Sequence, residues 1–406
     1  MKERRYDIDW LRVIAMLCVF IYHCTRFFDT EDWHLKAPLA QQVDVISVVR
    51  EYTLWVWLME IFFLVAGFAA GYALIRRTGG QYLVDRIKRM LVPLYTVGMF
   101  ILIPPQAYFE KLTHGQITGT FWQWLPTYYS GLSGDLFGPH QFQDPDQLVL
   151  YTFSGHLWFI QMLFLISVIT LALLLYLKSE RGQRFIAWLA GWSIRPGGIF
   201  LFVIPLAAVR VGFYWMPKTT DRTWALFLTY ALFFVYGYLF AKDNRFTESA
   251  KIHGWLCLGL WLVLFPLVGG ILKYGLNFDT SDGRGFSLLF AIWGITYSII
   301  RWSAVVFLLN LGARYLNFTN RFLAYSNEAV LPFYLFHQTV ILIAGWFVLP
   351  LEIGGLAKFV LITVISFPTI LILYEYFVRR YNGMRFLFGM APMPKQPAAG
   401  RVVFKT

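Results

Sequence analysis

Long runs of apolar residues, separated by short polar segments, follow one another from near the N-terminus to about residue 380. Each run approaches the roughly 20 residues that an α-helix needs to cross the hydrocarbon core of a bilayer. No heptad series and no soluble repeat period accompanies them. The pattern predicts an all-α, polytopic membrane protein with about ten spans, at residues 10–28, 54–75, 90–110, 157–177, 198–216, 223–241, 254–272, 286–311, 330–349 and 357–378.

The composition supports this class. Of 406 residues, 58% are hydrophobic and 14% are charged, which excludes an ordinary soluble core, intrinsic disorder and a collagen-like chain. The three cysteines, Cys18, Cys24 and Cys257, lie inside apolar runs and form neither a disulfide framework nor a zinc pattern, so no metal site is predicted. We expect one transmembrane domain over residues 1–390, followed by a flexible cytoplasmic tail over 391–406.

The distribution of charge predicts the orientation. If the N-terminus is cytoplasmic, the inside segments carry 23 Lys and Arg residues and the outside loops carry 7. Because cytoplasmic loops are enriched in basic residues, both termini are predicted to be cytoplasmic. The net charge of +12 is then mainly explained by the basic cytoplasmic segments, and it requires no nucleic-acid partner.

Two ionisable residues share one face of the first span. Arg12 and His23 are eleven residues apart, which returns to within about 20° of the same helical direction and separates them by about 16 Å. A histidine at membrane depth suits general base chemistry near neutral pH. The alternative is structural: Arg12 reaches toward the cytoplasmic headgroups, and His23 makes an interhelical hydrogen bond.

The second span carries Glu60 at the depth of His23. This carboxylate either orients the His23 imidazole, as in a catalytic dyad, or pairs with another buried cation such as Arg210. The spacing of Gly67 and Gly71 in the same span is typical of close helix packing.

Four arginines mark the cytoplasmic segment after the second span: Arg76, Arg77, Arg86 and Arg89. The spacing of Arg86 and Arg89 places two guanidiniums on one helical face, and guanidiniums suit bidentate binding of phosphate. This pattern predicts a site for a phosphorylated co-substrate. Lipid headgroups, or simply a solvated positive-inside loop, are the alternatives.

Other polar residues indicate a polar interior. His156, next to the aromatic Trp158, is expected at the outer surface, and Arg210 and Arg301 lie within spans. Either arginine would suit the carboxylate of a succinyl donor. His337 is expected about a third of the way from the cytoplasmic side, as a packed histidine rather than a second catalyst.

The loop at 111–156 is the longest, and it is predicted to lie outside. Long loops in compact proteins are commonly either functional or disordered. Its aromatic residues, Trp122, Trp124, Tyr128 and Tyr129, suit stacking against sugar rings. An interfacial aromatic belt is an equally good interpretation.

Five segments together resemble the membrane acyltransferase-3 family, over about residues 6–380. The family's signature is a basic residue followed by ten residues and then a histidine. Arg12 and His23, within DWLRVIAMLCVFIYH, match it. The other segments are FFLVAGF at 62–68, DRIKRMLVP at 85–93, HLWFIQMLF at 156–164 and LPFYLFHQTVI at 331–341. The last two resemble a subgroup of periplasmic-glucan succinyltransferases.

The resemblance implies an O-acyltransferase that uses cytoplasmic acyl-CoA, with no tightly bound cofactor, to modify a glycan hydroxyl outside. The family's essential residues carry over to Arg12 and His23, and its loop arginines to Arg86 and Arg89. The family's outer-face histidine corresponds to His156, and its histidine in the ninth span corresponds to His337. A transporter of an acylated or anionic substrate, or a membrane scaffold, remains an alternative, and a homo-oligomer is compatible with either.

Overall fold

The computed structural model describes residues 4–135, 155–213, 218–269 and 288–393. These residues form helices joined by short connections. The helices are α1 (Tyr6–Thr25), α2 (Asp44–Thr53), α3 (Leu58–Arg76), α4 (Gly79–Arg86), α5 (Ile103–Thr113), α6 (Phe121–Asp135), α7 (Trp158–Ile169), α8 (Leu171–Lys178), α9 (Glu180–Ser193), α10 (Val203–Phe213), α11 (Lys218–Lys242), α12 (Arg245–Gly269), α13 (Leu288–Tyr315), α14 (Arg321–Val348), α15 (Gly355–Leu373) and α16 (Asn382–Leu387).

The prediction of an all-α, polytopic membrane protein is confirmed. Within the described ranges, eight helical segments are long and apolar enough to cross a membrane. A ninth is the pair Gly155–Ile169 and Leu171–Lys178, which is bent by 49°. The predicted span at 198–216 corresponds to a shorter apolar helix at Gly198–Gly212. Residues 394–406 of the tail predicted at 391–406 lie outside the described residues.

Polar caps determine where several helices begin. The Thr78 side chain accepts from the Gln81 backbone N–H, and the Gln81 side chain accepts from Thr78 in return, which starts α4. The Asn320 side chain likewise accepts from the Leu323 backbone N–H and starts α14. As a result, α14 begins nine residues before the predicted span at 330–349.

A long continuous helical segment, Gly79–Thr113, joins the two ends of the bundle. Between α4 and α5 its turns widen into π-helical stretches at Ile87–Leu91 and Leu94–Leu102. Pro93 lies between these stretches, where its missing N–H removes one rung of the regular hydrogen-bond ladder. This segment places the arginines near α4 at one end and α5 at the other.

The closest helix packing is between α3 and α11. A Cβ atom at Gly67 would overlap the Phe234 backbone carbonyl, and one at Gly237 would overlap the Leu64 carbonyl. At Gly71 an added Cβ would lie 2.7 Å from that of Ala241. The close packing predicted from Gly67 and Gly71 is therefore confirmed, because any side chain at Gly67 would force the two backbones apart.

We expect Gly67→Ala to lower the free energy of unfolding by about 1–3 kcal/mol, the usual cost of overpacking. The matched control is Gly259→Ala in α12, where an added Cβ meets nothing within 4 Å. Thermal denaturation in detergent, followed by tryptophan fluorescence, compares the two. Equal stability of both variants would contradict the packing described for α3 and α11.

The periphery of the bundle is apolar and its interior is partly polar. Only small parts of α12 and α15 are buried, and they expose large apolar side chains such as Leu256, Val263, Val360 and Val364. This surface suits contact with lipid chains. The interior helix α1 contacts α3, α13, α14 and α15, so polar groups on α1 meet partners from several elements.

Candidate active site

Arg12 and His23 both face α14. Arg12 Nη2 donates to Asn327 Oδ1 at 2.6 Å, and the rings of His23 and His337 have centroids 4.9 Å apart. The two α14 partners are ten residues apart, about 15 Å along a helix. The structure thus places Arg12 and His23 on one face, as the spacing predicted, with α1 and α14 running in the same direction.

Three histidines from separate elements meet at this end of α1. His23 comes from α1, His156 from the turn before α7, and His337 from α14. The ring centroids of His156 and His337 are 5.2 Å apart, so His337 lies against both of the others. We call these three residues the histidine cluster. His337 is fully buried, whereas His23 is partly exposed and is the more accessible ring.

The expected depth of His337 is wrong. The apolar run begins at residue 330, which put His337 near the cytoplasmic side, but the helix itself begins at Arg321. His337 therefore lies beyond the midpoint of the 28-residue α14, at the level of His23. The polar first turns of α14 concealed this from hydropathy.

The hydrogen bonds of the cluster assign one tautomer and leave basic nitrogens unpaired. His337 Nδ1 lies 2.6 Å from the Tyr334 carbonyl, which only accepts, so Nδ1 carries the hydrogen and Nε2 carries the lone pair. That Nε2, and Nδ1 of His23, are buried and make no hydrogen bond within the described chain. These nitrogens are suited to accept a proton or to attack an electrophile.

His156, at the start of the bent pair that begins at Gly155, is buried within the protein. Its Nδ1 lies 3.0 Å from Gln106 Oε1 and its Nε2 lies 3.2 Å from the Leu335 carbonyl. Both neighbours are oxygen acceptors, and a neutral ring donates to one of them at a time. The Tyr334 hydroxyl also donates to the His156 carbonyl at 2.6 Å, which fixes the turn before α7.

The structure places Glu60 against Arg301. Glu60 Oε1 lies 3.0 Å from Arg301 Nη1, and both side chains are buried. Of the two interpretations of Glu60, this geometry is that of a partner for another buried cation. The cation is Arg301 rather than the suggested Arg210, and the described contacts of His23 do not include Glu60.

Arg210 and Arg301 form a second polar region. The Arg210 guanidinium lies over the rings of Trp293 and Tyr297, 4.3 and 4.2 Å from their centroids, and Arg301 lies 5.0 Å from that of Tyr297. The two arginines also line a very small cavity, of about 10 Å³, together with Ser298. Trp158, the first residue of α7, contacts the ring of Phe159 and the ring of Tyr230 on α11.

A buried carboxylate organises the loop after α1. Asp29 accepts from Arg26 Nη1 at 2.8 Å and from Lys36 Nζ at 2.7 Å, and it also pairs with Arg50. Burial lowers the pKa of Lys36, and Asp29 opposes that shift. The sequence analysis did not single out this cluster, because its members are spread over a loop without periodicity.

This loop covers the histidine cluster. The Trp33 ring stacks on His23, with centroids 6.0 Å apart and planes 21° from parallel. The next residue, His34, has Nδ1 2.7 Å from Glu110 Oε2, and Gln338 Nε2 donates to His34 Nε2 at 2.9 Å. Sequence reasoning missed His34. Its one signal was a histidine next to a tryptophan soon after the first span.

A second pair ties the same loop to the end of α5. His114 Nε2 lies 3.0 Å from Asp32 Oδ2, and His114 Nδ1 lies 2.7 Å from the Glu110 carbonyl. The Glu110 carbonyl and then Asp32 raise the pKa of His114 above its usual value. The loop is therefore held both by Asp29 and by α5.

At the Arg12 end of the face that Arg12 and His23 share, one carboxylate pairs with three arginines. Asp85 lies 2.8 Å from Arg77 Nη1, 3.1 Å from Arg89 Nε and 3.3 Å from Arg86 Nη2. Arg76 is exposed at the end of α3. The structure therefore brings together three of the four arginines in the predicted phosphate site, with a local excess of positive charge.

Further charges surround Arg12. The Arg12 guanidinium lies within range of charge repulsion from Arg89. Glu328, next to Asn327 on α14, pairs with Arg385 at 2.7 Å and with Arg379 at 3.4 Å. The sequence analysis did not single out these C-terminal arginines. Asp9 lies 3.8 Å from Arg12, and arginines outnumber carboxylates at this end of α1, which suits binding of phosphate groups.

An open cavity of about 300 Å³ lies between α5 and α6. It is lined by Trp124, Tyr128 and the polar side chains of Lys111, Gln123 and Thr127. The four aromatic residues predicted for sugar stacking divide into two pairs. Trp124 and Tyr128 are buried, while Trp122, 76% exposed, and Tyr129 lie outward. His140 and the rest of residues 136–154 lie outside the described chain.

Comparison with known proteins gives the family. A family model described as an acyltransferase domain matches residues 5–375. Similar curated proteins include the glucans biosynthesis protein C of Salmonella paratyphi B, Salmonella enteritidis and Salmonella choleraesuis. Each is 21% identical over 420 residues, which cover 98% of this chain and 98% of the relative. No solved structure matches.

The family match spans the residues that build the site, from Arg12 in α1 to His337 in α14. The helical architecture and its candidate membrane spans agree with that match. The chain therefore belongs to this acyltransferase family and is a multi-span membrane acyltransferase.

Proposed function

We propose that the protein moves an acyl group, acetyl or succinyl, from cytoplasmic acyl-CoA to a hydroxyl of a glycan on the outer side of a bacterial inner membrane. The observation that carries this proposal is the shared face of α1. That face joins a basic end at Arg12 to unpaired imidazole nitrogens at His23 and His337, about 16 Å away.

The basic end suits the donor. Arg77, Arg86 and Arg89 share the single charge of Asp85, so their combined charge remains positive and attracts phosphate groups. Acyl-CoA binds here as a co-substrate, and its pantetheine arm extends along α1 toward His23. Arg12 stabilises negative charge between the two.

The histidine cluster suits the transfer step. His23 is its accessible ring, and it acts either as a general base or as a transient acyl carrier. His337 supports it with a lone pair on Nε2 that makes no hydrogen bond within the described chain, and His156 is held beside His337 by its contacts to Gln106 and the Leu335 carbonyl. Arg301 and Arg210 provide a cationic region for the carboxylate of a succinyl group.

The acceptor binds at the end of α5. The cavity between α5 and α6 combines aromatic rings with amide, hydroxyl and ammonium groups, a mixture that suits a neutral sugar. Gln106, on the first turn of α5, contacts His156, and Lys111 in the cavity is about 8 Å further along the same helix. The name of the similar proteins, which refers to glucans, supports a glucan acceptor.

The test uses purified protein with labelled acetyl-CoA or succinyl-CoA and a short glucan oligosaccharide. We expect mass spectrometry to detect the glucan with one added acyl group, together with release of free CoA. Movement of the labelled compounds across liposomes without acylation would support a transporter instead. Light scattering of the same preparation reports the oligomeric state.

A further inference from the structure

Within the proposed function, which this inference presupposes, one question is which group removes the proton of the acceptor hydroxyl. The candidate for this group is His34, which lies beside Glu110. His34 lies in the loop after α1, and Glu110 lies on α5 next to Lys111, which lines the cavity proposed for the acceptor. Their atoms Nδ1 and Oε2 are 2.7 Å apart.

The His34 ring adjoins the histidine cluster without belonging to it. The preceding residue, Trp33, stacks on His23, and Gln338, next to His337, donates to His34 Nε2. His34 is also within electrostatic range of His23 and His156. A hydroxyl group placed at His34 therefore lies close to the ring proposed to handle the acyl group.

The carboxylate distinguishes His34 from the cluster. In the described part of the chain, no Asp or Glu lies at ion-pair distance from His23, His156 or His337. Because His34 Nε2 accepts from the Gln338 amide, the ring hydrogen lies on Nδ1, where Glu110 is at ion-pair distance without a hydrogen bond. The negative charge of Glu110 stabilises the imidazolium that forms when Nε2 takes a proton. The 44% exposed side chain of Glu110 and the 17% exposed ring of His34 also connect this pair to water.

The ring is held in position. Thr113 Oγ1 donates to the His34 carbonyl at 2.8 Å, and Asp32 in the same loop pairs with His114. The buried Asp29 cluster anchors the start of the loop. A base on this loop therefore keeps a fixed geometry.

We propose that His34 is the general base that deprotonates the acceptor hydroxyl, and that Glu110 is its positioning residue. The hydroxyl proton passes to His34 Nε2 as the acceptor oxygen bonds to the acyl carbon. With the proton taken by His34, His23 serves as the acyl carrier: its nitrogen first bonds to the acyl carbon as the bond to the CoA sulfur breaks and the electron pair leaves on sulfur. The bond from His23 to the acyl carbon then breaks as the acceptor oxygen bonds, and its electron pair returns to the His23 nitrogen. The thiolate takes a proton from water on its own side, and the His34 imidazolium returns one to water near Glu110.

The Gln338 amide must adapt to this step. In the neutral ring its Nε2 donates to the His34 lone pair, and its Oε1 makes no hydrogen bond. When the acceptor hydroxyl occupies Nε2, the amide turns away or presents Oε1 to the new N–H. Gln338→Ala is therefore expected to change the rate far less than loss of the imidazole.

The experiment compares His34→Gln with His114→Gln, because both histidines tie the same loop to α5. We expect His34→Gln to lower kcat for acylation of the glucan by about 10²–10⁴-fold, the usual contribution of a general base. His114→Gln is expected to stay within a few fold of wild type. Glu110→Gln should lower kcat with little change in KM.

Hydroxylamine as acceptor separates a chemical role from a structural one. Its nitrogen attacks without prior loss of a proton, so His34→Gln is expected to recover most of the wild-type rate with it, after subtraction of the rate without enzyme. A structural defect would slow both acceptors equally and would overturn the proposal, as would a normal kcat of His34→Gln with glucan. If wild-type protein acylates neither acceptor, the proposed function itself fails.

Discussion

His23→Ala is expected to lower kcat for acyl transfer by about 10²–10⁴-fold or more. His23 is the accessible ring of the histidine cluster, and its Nδ1 makes no hydrogen bond within the described chain. If it carries the acyl group, no other described group replaces it at that position. Release of CoA, followed with a thiol reagent, measures the rate with glucan present.

The control for this variant is its fold. The His23 ring contacts Trp33 and His337, and within the described chain it makes no ion pair. We therefore expect removal of the imidazole to leave insertion and gel-filtration behaviour unchanged. Full activity of folded His23→Ala would show that the chemistry takes place elsewhere.

Arg12 lies at the opposite end of the same face and is expected to act on the donor. Arg12→Ala loses the contact to Asn327 and one charge at the basic end, so we expect a higher KM for acyl-CoA together with a lower kcat. Asn327→Ala, which leaves the charge in place, is expected to have the smaller effect.

The largest loss of stability is expected at the ion pair of Glu60 and Arg301. Arg301→Met leaves a buried carboxylate without its closest cation, which costs about 3–5 kcal/mol in the free energy of unfolding. Thermal denaturation in detergent measures this loss. We expect a large fall in the midpoint temperature or failure to accumulate in the membrane.

The double variant Glu60→Gln with Arg301→Met tests the pairing itself. Removal of both charges avoids an uncompensated buried ion, so the double variant is expected to be more stable than Arg301→Met alone. Additive losses from the two single substitutions would contradict a direct interaction between them.

Helical periodicity and hydropathy predicted much of this fold. The 3.6-residue period placed Arg12 and His23 on one face, and the structure shows both against α14. The spacing of Gly67 and Gly71 predicted close packing, which α11 provides. These predictions depend on local geometry within one helix, which a sequence specifies directly.

Partners from distant segments could not be assigned in the same way. Glu60 and Arg301 are 241 residues apart in sequence, and either of two buried arginines fitted the charge pattern. His34 and Glu110 lie on a loop and a helix whose approach depends on tertiary packing. The depth of His337 was misjudged because the polar first turns of α14 lie outside its apolar run.

The central claim is that donor and acceptor react from opposite sides of the membrane. The direct measurement uses proteoliposomes in which protease accessibility of the termini defines the orientation, with labelled acyl-CoA on one side and glucan on the other. We expect acylated glucan only when acyl-CoA faces the end of Arg12 and glucan faces the end of His23. Acylation that requires both substrates on the same side would contradict the account.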